Sequence, residues 1–160
     1  MIQHPFPPLY DAESRILILG SFPSVKSREG CFFYHHPQNR FWKVLAAVLQ
    51  TEVPATIEEK SAMLHRYHVA LWDAIASCEI IGSSDSSIRN VVPNDLTPIL
   101  TEANIQAIFC NGSAAHSYYQ KYLRTRTGMD ARKLPSTSPA NAAWSPDRLI
   151  AEWAVITDWL

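Results

Sequence analysis

The stretch Arg15-Ile16-Leu17-Ile18-Leu19-Gly20 decides how the rest of the chain is read. It is a short, almost unbroken apolar run that stops at a glycine, the pattern of a strand buried on both faces. Three further segments resemble it: Val69 to Trp72, Ile105 to Cys110 and Ala131 to Leu134. Helical patterns lie between them. After Pro37, the residues Phe41, Leu45, Val48 and Leu49, with Trp42 beside them, make one apolar face. Thr56-Ile57-Glu58-Glu59 is a capping box that starts a helix running towards Tyr67. Gly112 to Leu123 reads as a helix. Ser145-Pro146-Asp147 supplies an N-cap, a proline at the first helical position and a first-turn acid, with Trp144 and Leu149 as a hydrophobic staple. Buried strands alternating with helices predict an α/β fold around a parallel sheet. In such folds ligands bind at the carboxyl ends of the strands, so the residues after each strand carry the functional information.

Composition narrows the class. With 160 residues, 47% hydrophobic and 18% charged, the chain is expected to form a single domain spanning 1–160 with its own core. No apolar run reaches the roughly 20 residues a membrane helix needs. Residues 1–14 lack the basic start and apolar stretch of a secretory signal, so a cytoplasmic, intracellular location is expected. The three cysteines, Cys31, Cys78 and Cys110, are far apart and read as buried free thiols. The net charge of −1 excludes a generally basic DNA-coating protein. Two segments are nevertheless locally basic. One carries Lys26, Arg28, Arg40 and Lys43, the other Lys121, Arg124, Arg126, Arg132 and Lys133. Sharing a face they would attract an anion; apart, they are ordinary solvated surface.

The first strand is followed by Gly20-Ser21-Phe22-Pro23-Ser24 and then by Gly30-Cys31-Phe32-Phe33-Tyr34-His35-His36-Pro37-Gln38-Asn39-Arg40-Phe41-Trp42. Aromatic rings beside amides, imidazoles and a guanidinium suit a flat heterocycle, which needs a ring to stack on and polar groups to read its edge. The same loop can also serve as a lid over the core. The last strand is followed by Leu134-Pro135-Ser136-Thr137-Ser138-Pro139-Ala140-Asn141, whose hydroxyls and backbone N–H groups can hold phosphates or simply form a polar turn. His65 and His68 lack acidic or cysteine partners and read as surface residues. Serine hydrolysis is disfavoured because no G-x-S-x-G elbow is present.

The pair GSFPS…FFYHHPQNRFW and LPSTSPAN resembles the two active-site motifs of the uracil-DNA glycosylase superfamily, and most closely its hypoxanthine-DNA glycosylase branch. The resemblance spans nearly the whole chain. It implies a three-layer α/β/α sandwich with a four-stranded parallel sheet, and an enzyme that flips a damaged base from double-stranded DNA and cleaves its N-glycosidic bond in base-excision repair. Where another branch places a water-positioning Asn in the first motif, this chain has Phe22. The resemblance therefore puts Asn39 in the catalytic role, its amide oxygen orienting water; the alternative is a residue that holds the helix turn. It further implies that Tyr34 stacks on the base, with Phe22 or Phe33 sharing that duty. Trp72 and Asp73 would meet the base edge, and Asn111 the pocket floor. Contacts to DNA would come from Ser21, Ser24, Arg40, Ser136, Thr137, Ser138 and Asn141, with His35 or His36 touching base or phosphate. Three cysteines cannot supply the four ligands of the iron–sulfur cluster found in two other branches. No cofactor or metal is expected, and a monomer without strand-cleaving activity is.

Overall fold

The computed structural model describes residues 1–160. In chain order it comprises β1 (Ile2–Gln3), β2 (Ile16–Gly20), α1 (Val25–Gly30), α2 (Phe41–Leu49), α3 (Ile57–Arg66), β3 (Val69–Asp73), β4 (Ile75–Glu79) and β5 (Arg89–Pro93). The second half contains α4 (Thr97–Glu102), β6 (Ala107–Asn111), α5 (Ser113–Tyr118), α6 (Arg124–Thr127), β7 (Ala131–Leu134) and α7 (Pro146–Trp153). The central sheet is parallel, in the order β3-β2-β6-β7. Helices surround it, giving the expected α/β architecture.

The four strands anticipated from the apolar runs are the four of this sheet. All five residues of β2 are buried, because it pairs with β3 on one side and β6 on the other. Ile16, Leu17, Ile18 and Leu19 have no accessible surface; burying each such side chain contributes about 1.5–3 kcal/mol. The edge strand β7 buries only Leu134 fully, which is why its apolar signal is thin. Parallel pairing aligns the strand ends: Gly20 lies opposite Asp73, and Asn111 opposite Leu134. The polar segments that follow are thereby delivered to one edge of the sheet.

Two helix starts behave as their sequences predict. The Thr56 hydroxyl accepts from Glu59 N at 3.1 Å, and Ser145 accepts from Arg148 N at 3.3 Å. Glu59 reaches back to Ala55 N rather than to the backbone N–H of Thr56, one residue beyond a standard capping box. Leu149 is fully buried, while Trp144 lies under the Arg148 guanidinium at 4.1 Å. The helix expected over 112–123 is interrupted. Residues 119–123 form a π-helical turn before α6, and Tyr119 there is fully buried with its hydroxyl 2.6 Å from both Thr127 Oγ1 and Met129 O.

A second sheet has no counterpart in the sequence reading. Strands β1, β4 and β5 form an antiparallel sheet in the order β1-β4-β5. β1 has two residues, and β5 is largely exposed, so neither shows an apolar pattern. Only Ala74 separates β3 from β4; Ala74 N and Ile75 N bond back to Gly20 O and Ser21 O, carrying the chain across the end of β2. Cys78 and Cys110 are buried as expected, and burial pushes the Cys110 thiol up to about 12. Cys31 is not buried: it ends α1 in a left-handed conformation that leaves it in solvent.

Candidate active site

The segments following β2, β3, β6 and β7 meet around a cavity of about 120 Å³, lined by both sequence motifs. This is well below the 300–1,000 Å³ typical of sites for drug-sized ligands. Gly20, Ser21, Phe22 and Ser24 line one side, with Phe33, Tyr34 and Asn39 from the long loop. Asp73, Asn111, Ser136, Thr137 and Ser138 line the other.

The two motifs are joined by one polar chain. Asn39 Oδ1 accepts from Phe41 N at 2.9 Å and from Thr137 Oγ1 at 2.8 Å. Asn111 Nδ2 donates to Thr137 Oγ1 at 3.0 Å, and Thr137 N donates to Asn111 Oδ1 at 3.0 Å. The backbone N–H of Phe41 can only donate, so the oxygen of the Asn39 amide must face it. That oxygen, expected to orient water, is occupied by two donors. The group Asn39 offers the cavity is its Nδ2. Thr137, expected at the DNA surface, is fully buried and acts as the link between loops.

Arg40, expected to contact DNA, directs its guanidinium to the loop after β7. Its Nη2 donates to Ser138 O at 2.8 Å and Asn141 O at 3.0 Å, its Nη1 to Trp144 O, and its Nε to Thr137 O at 3.4 Å. One guanidinium thus satisfies carbonyls along the whole second-motif loop. Two indole N–H groups complete the bracing: Trp42 donates to Tyr34 O at 3.1 Å and Trp153 to Pro135 O at 2.9 Å. Asn141 Nδ2 holds Ser136 O at 3.0 Å. The serines of both motifs keep their hydroxyls at the cavity. Ser21 donates to Asp85 at 2.8 Å, Ser24 caps α1, and Ser136 and Ser138 accept from Ser138 N and Ala140 N. The Ser24 hydroxyl also donates to Ser27 Oγ at 3.2 Å, so only Ser136 and Ser138 retain an O–H to donate to a phosphate.

The aromatic assignments divide. Phe22 and Phe33 line the cavity as expected. Tyr34 does too, but its ring stacks on Phe41 with centroids 4.1 Å apart and planes 16° from parallel. What it brings to the site is a buried hydroxyl with no hydrogen-bond partner. Desolvation first, and the nearby Asp73 charge second, raise its pKa above the ordinary phenol value. Trp72 does not reach the cavity. Side chains alternate along β3, and its ring packs into the core against His4, with centroids 4.4 Å apart, and Phe33. The imidazoles of His35 and His36 are likewise elsewhere: His35 packs over Gly30, and His36 Nδ1 accepts from Gln38 N at 3.1 Å.

Two contributors had no sequence signal. His4, near the N-terminus, places Nε2 2.7 Å from Asp73 Oδ2, with the two side chains only 4% and 6% exposed. The Ser83–Asp85 segment lines the cavity from the β4–β5 connection, where Val25 N donates to Ser83 Oγ at 2.9 Å. The basic segments are largely spent on structure. Arg28 donates to Pro23 O and Gly82 O, Arg124 pairs with Asp130, and Arg132 covers the Trp159 ring. Lys133 lines a shallow groove beside Ser136, Ser138 and Asn141.

Gly20 is a fixed point of this geometry. A Cβ there would fall well inside contact distance of Asp73 Oδ1 and 3.3 Å from the Tyr34 hydroxyl. Gly20→Ala is expected to lower stability by about 1–3 kcal/mol by forcing Asp73 aside; urea unfolding with an unchanged midpoint would show that the floor yields freely.

Comparison with known proteins agrees with this arrangement. The profile of the uracil DNA glycosylase superfamily matches residues 7–159. A hypoxanthine DNA glycosylase from Methanosarcina acetivorans is 31% identical over 157 residues, covering 98% of each chain. One from Methanosarcina barkeri is 30% identical over 138 residues, covering 85% of this chain and 86% of the relative. The solution NMR structure of a candidate uracil DNA glycosylase from M. acetivorans superposes with a TM-score of 0.83 at 31% identity, covering 98% of this chain and 96% of that one. With its two motifs joined through Asn39, Thr137 and Asn111 at the strand ends, this chain belongs to the uracil DNA glycosylase superfamily and is a DNA glycosylase.

Proposed function

We propose that this enzyme removes a deaminated base, hypoxanthine in deoxyinosine foremost and uracil or xanthine as further substrates, by flipping it from double-stranded DNA and leaving an abasic site. The observation that carries the reading is the small, polar-edged cavity formed jointly by the two motifs. Phe22 and Phe33 supply apolar surface for one base, and the Ser136 and Ser138 hydroxyls are left to donate to flanking phosphates. Flipping costs a few kcal/mol and least for a mispaired nucleotide, which favours deaminated sites.

In this reaction the bond from C1′ to the base nitrogen breaks with its electron pair going to the base. Water then bonds to C1′ of the resulting sugar cation and gives up a proton to the departed base or to solvent. Asn39 Nδ2 donates to the water oxygen and holds it at the sugar, while hydrogen bonds to the base stabilise the charge that develops on it. No lysine stands in either motif to form a Schiff base, so strand cleavage is not part of the activity.

The test compares excision from a duplex with turnover of free deoxyinosine, in wild type and Lys133→Glu. The variant is expected to bind DNA more weakly, with the slope of log affinity against log salt falling by about 0.9, and to cut the duplex more slowly. Its turnover of free nucleoside should be unaltered. Nucleoside turnover that exceeds duplex excision would overturn DNA as the substrate.

A further inference from the structure

Hydrolysis at C1′ needs a proton acceptor, and Asn39 cannot be it. Its Oδ1 is held by Phe41 N and Thr137 Oγ1, which leaves Nδ2 to hold the water but nothing to take its proton. The rest of the cavity wall is mostly hydroxyls and amides, and no histidine, lysine, arginine or cysteine lines it. Its three titratable side chains are Tyr34, Asp73 and Asp85. Burial raises the pKa of the Tyr34 phenol, so it keeps its proton and is no base. Asp73 is engaged by His4 at 2.7 Å and lies over Gly20 at the floor, away from the rim where a sugar would stand.

Asp85 differs on each count. It lies on the connection from β4 to β5 and lines both the cavity and the neighbouring groove that contains Lys133, Ser136 and Ser138. That shared edge is where a sugar would join an inserted base to a backbone held by the two serines. No cation pairs with its carboxylate. Its Oδ1 accepts from Ser21 Oγ at 2.8 Å. The chain just before it is pinned to the first-motif segment: Val25 N donates to Ser83 Oγ at 2.9 Å, and Arg28 Nη2 to Gly82 O at 3.1 Å. An unpaired carboxylate at a phosphate-binding rim repels the DNA it must admit. A role in the transition state would offset that loss of affinity.

We propose that Asp85 is a catalytic residue whose carboxylate stabilises the sugar cation at C1′ and accepts the proton of the attacking water, with Ser21 as its positioning residue. The proposal rests on the glycosylase reading and names the base in that reaction. The C1′–N bond breaks with its electron pair going to the departing base. A lone pair of the water forms the O–C1′ bond, and the O–H pair stays on oxygen as the proton passes to Asp85. Asp85 then releases that proton to solvent and the departed base takes one from solvent, which regenerates the carboxylate. Desolvation first, partly offset by the Ser21 hydrogen bond, and then the Asp73 charge raise the pKa of Asp85 above the ordinary carboxylate value. It is thereby a stronger base than a free aspartate. The other groups that feel its charge, Tyr118 on α5 and Cys78 on β4, have raised pKa values of their own and stay neutral.

The test is single-turnover excision of deoxyinosine from a duplex with enzyme in saturating excess, followed from acid to neutral pH. Wild type is expected to lose rate about tenfold per pH unit once Asp85 is protonated. Asp85→Asn, which keeps the acceptor for Ser21, should be at least about a hundredfold slower at neutral pH and lack that acid limb. It should bind a duplex holding cleavage-resistant 2′-fluorodeoxyinosine as tightly as wild type or more tightly, because a charge facing phosphate is gone. Ser21→Ala, which leaves the carboxylate in place, should slow excision several-fold and retain the limb. An Asp85→Asn protein with the wild-type rate, or with the wild-type acid limb, overturns the assignment and leaves the glycosylase reading intact. A rate loss matched by an equal loss of duplex affinity also overturns it, making Asp85 a binding residue. A wild type that excises no base from any duplex overturns the glycosylase reading and this assignment with it.

Discussion

Arg40→Ala is expected to destabilise the protein by about 3 kcal/mol, lowering Tm by roughly 6–12 °C for a chain of this size, and to reduce excision at least a hundredfold. Arg40 sits just before α2, yet its guanidinium serves the loop after β7, donating to carbonyls of Thr137, Ser138, Asn141 and Trp144. Hydrogen bonds to a charged donor contribute about 1.5–3 kcal/mol each, and water takes over part of this where the loop is open. Losing the guanidinium frees the segment that holds Thr137 against Asn39 and sets Ser136 and Ser138 at the rim. Arg40→Lys should recover little, because an ammonium cannot span four carbonyls as a planar fork does. Thermal unfolding and single-turnover excision check both parts; a variant with wild-type Tm and impaired DNA binding would restore Arg40 to the DNA surface.

The second large effect is expected at Asn39. Asn39→Ala should lower the excision rate at least a hundredfold, about 2.7 kcal/mol in barrier. Its structural part is separable. Alanine loses both the amide held towards the cavity and the acceptor of Phe41 N and Thr137 Oγ1, so a stability loss of about 1–3 kcal/mol accompanies it. Thr137→Val removes the hydroxyl link while leaving Asn39 bonded to Phe41 N. It should destabilise to a similar degree and slow excision far less. Equal rate losses in the two variants would make Asn39 a structural residue.

Much of this site was legible because it follows from strand ends. The run Ile16–Gly20 announces a doubly buried strand, and once the sheet is parallel the segments after Gly20, Asp73, Asn111 and Leu134 must converge. The pairings within the site were not legible. Asn39 and Thr137 lie in different motifs, and nothing in either side chain indicates that each satisfies the other. Arg40 looked available for phosphate because a guanidinium in a polar loop gives no sign of which carbonyls will claim it. Of the pair Trp72 and Asp73, both expected at the base edge, alternation along β3 sends Asp73 to the cavity and Trp72 into the core. His4 was invisible, since a single histidine among prolines near the N-terminus carries no pattern, and β1 and β5 are too short or too exposed to show one. The Ser83–Asp85 wall belongs to that same unforeseen sheet.

The most direct measurement is alkali-dependent scission of a labelled duplex holding one deoxyinosine, with EDTA present, beside matched duplexes holding deoxyuridine or deoxyadenosine. The account predicts an abasic site at inosine with wild type, none at adenine, and a product lowered at least a hundredfold with Asn39→Ala. An inosine duplex that is bound but left intact, or scission at adenine as fast as at inosine, would contradict it.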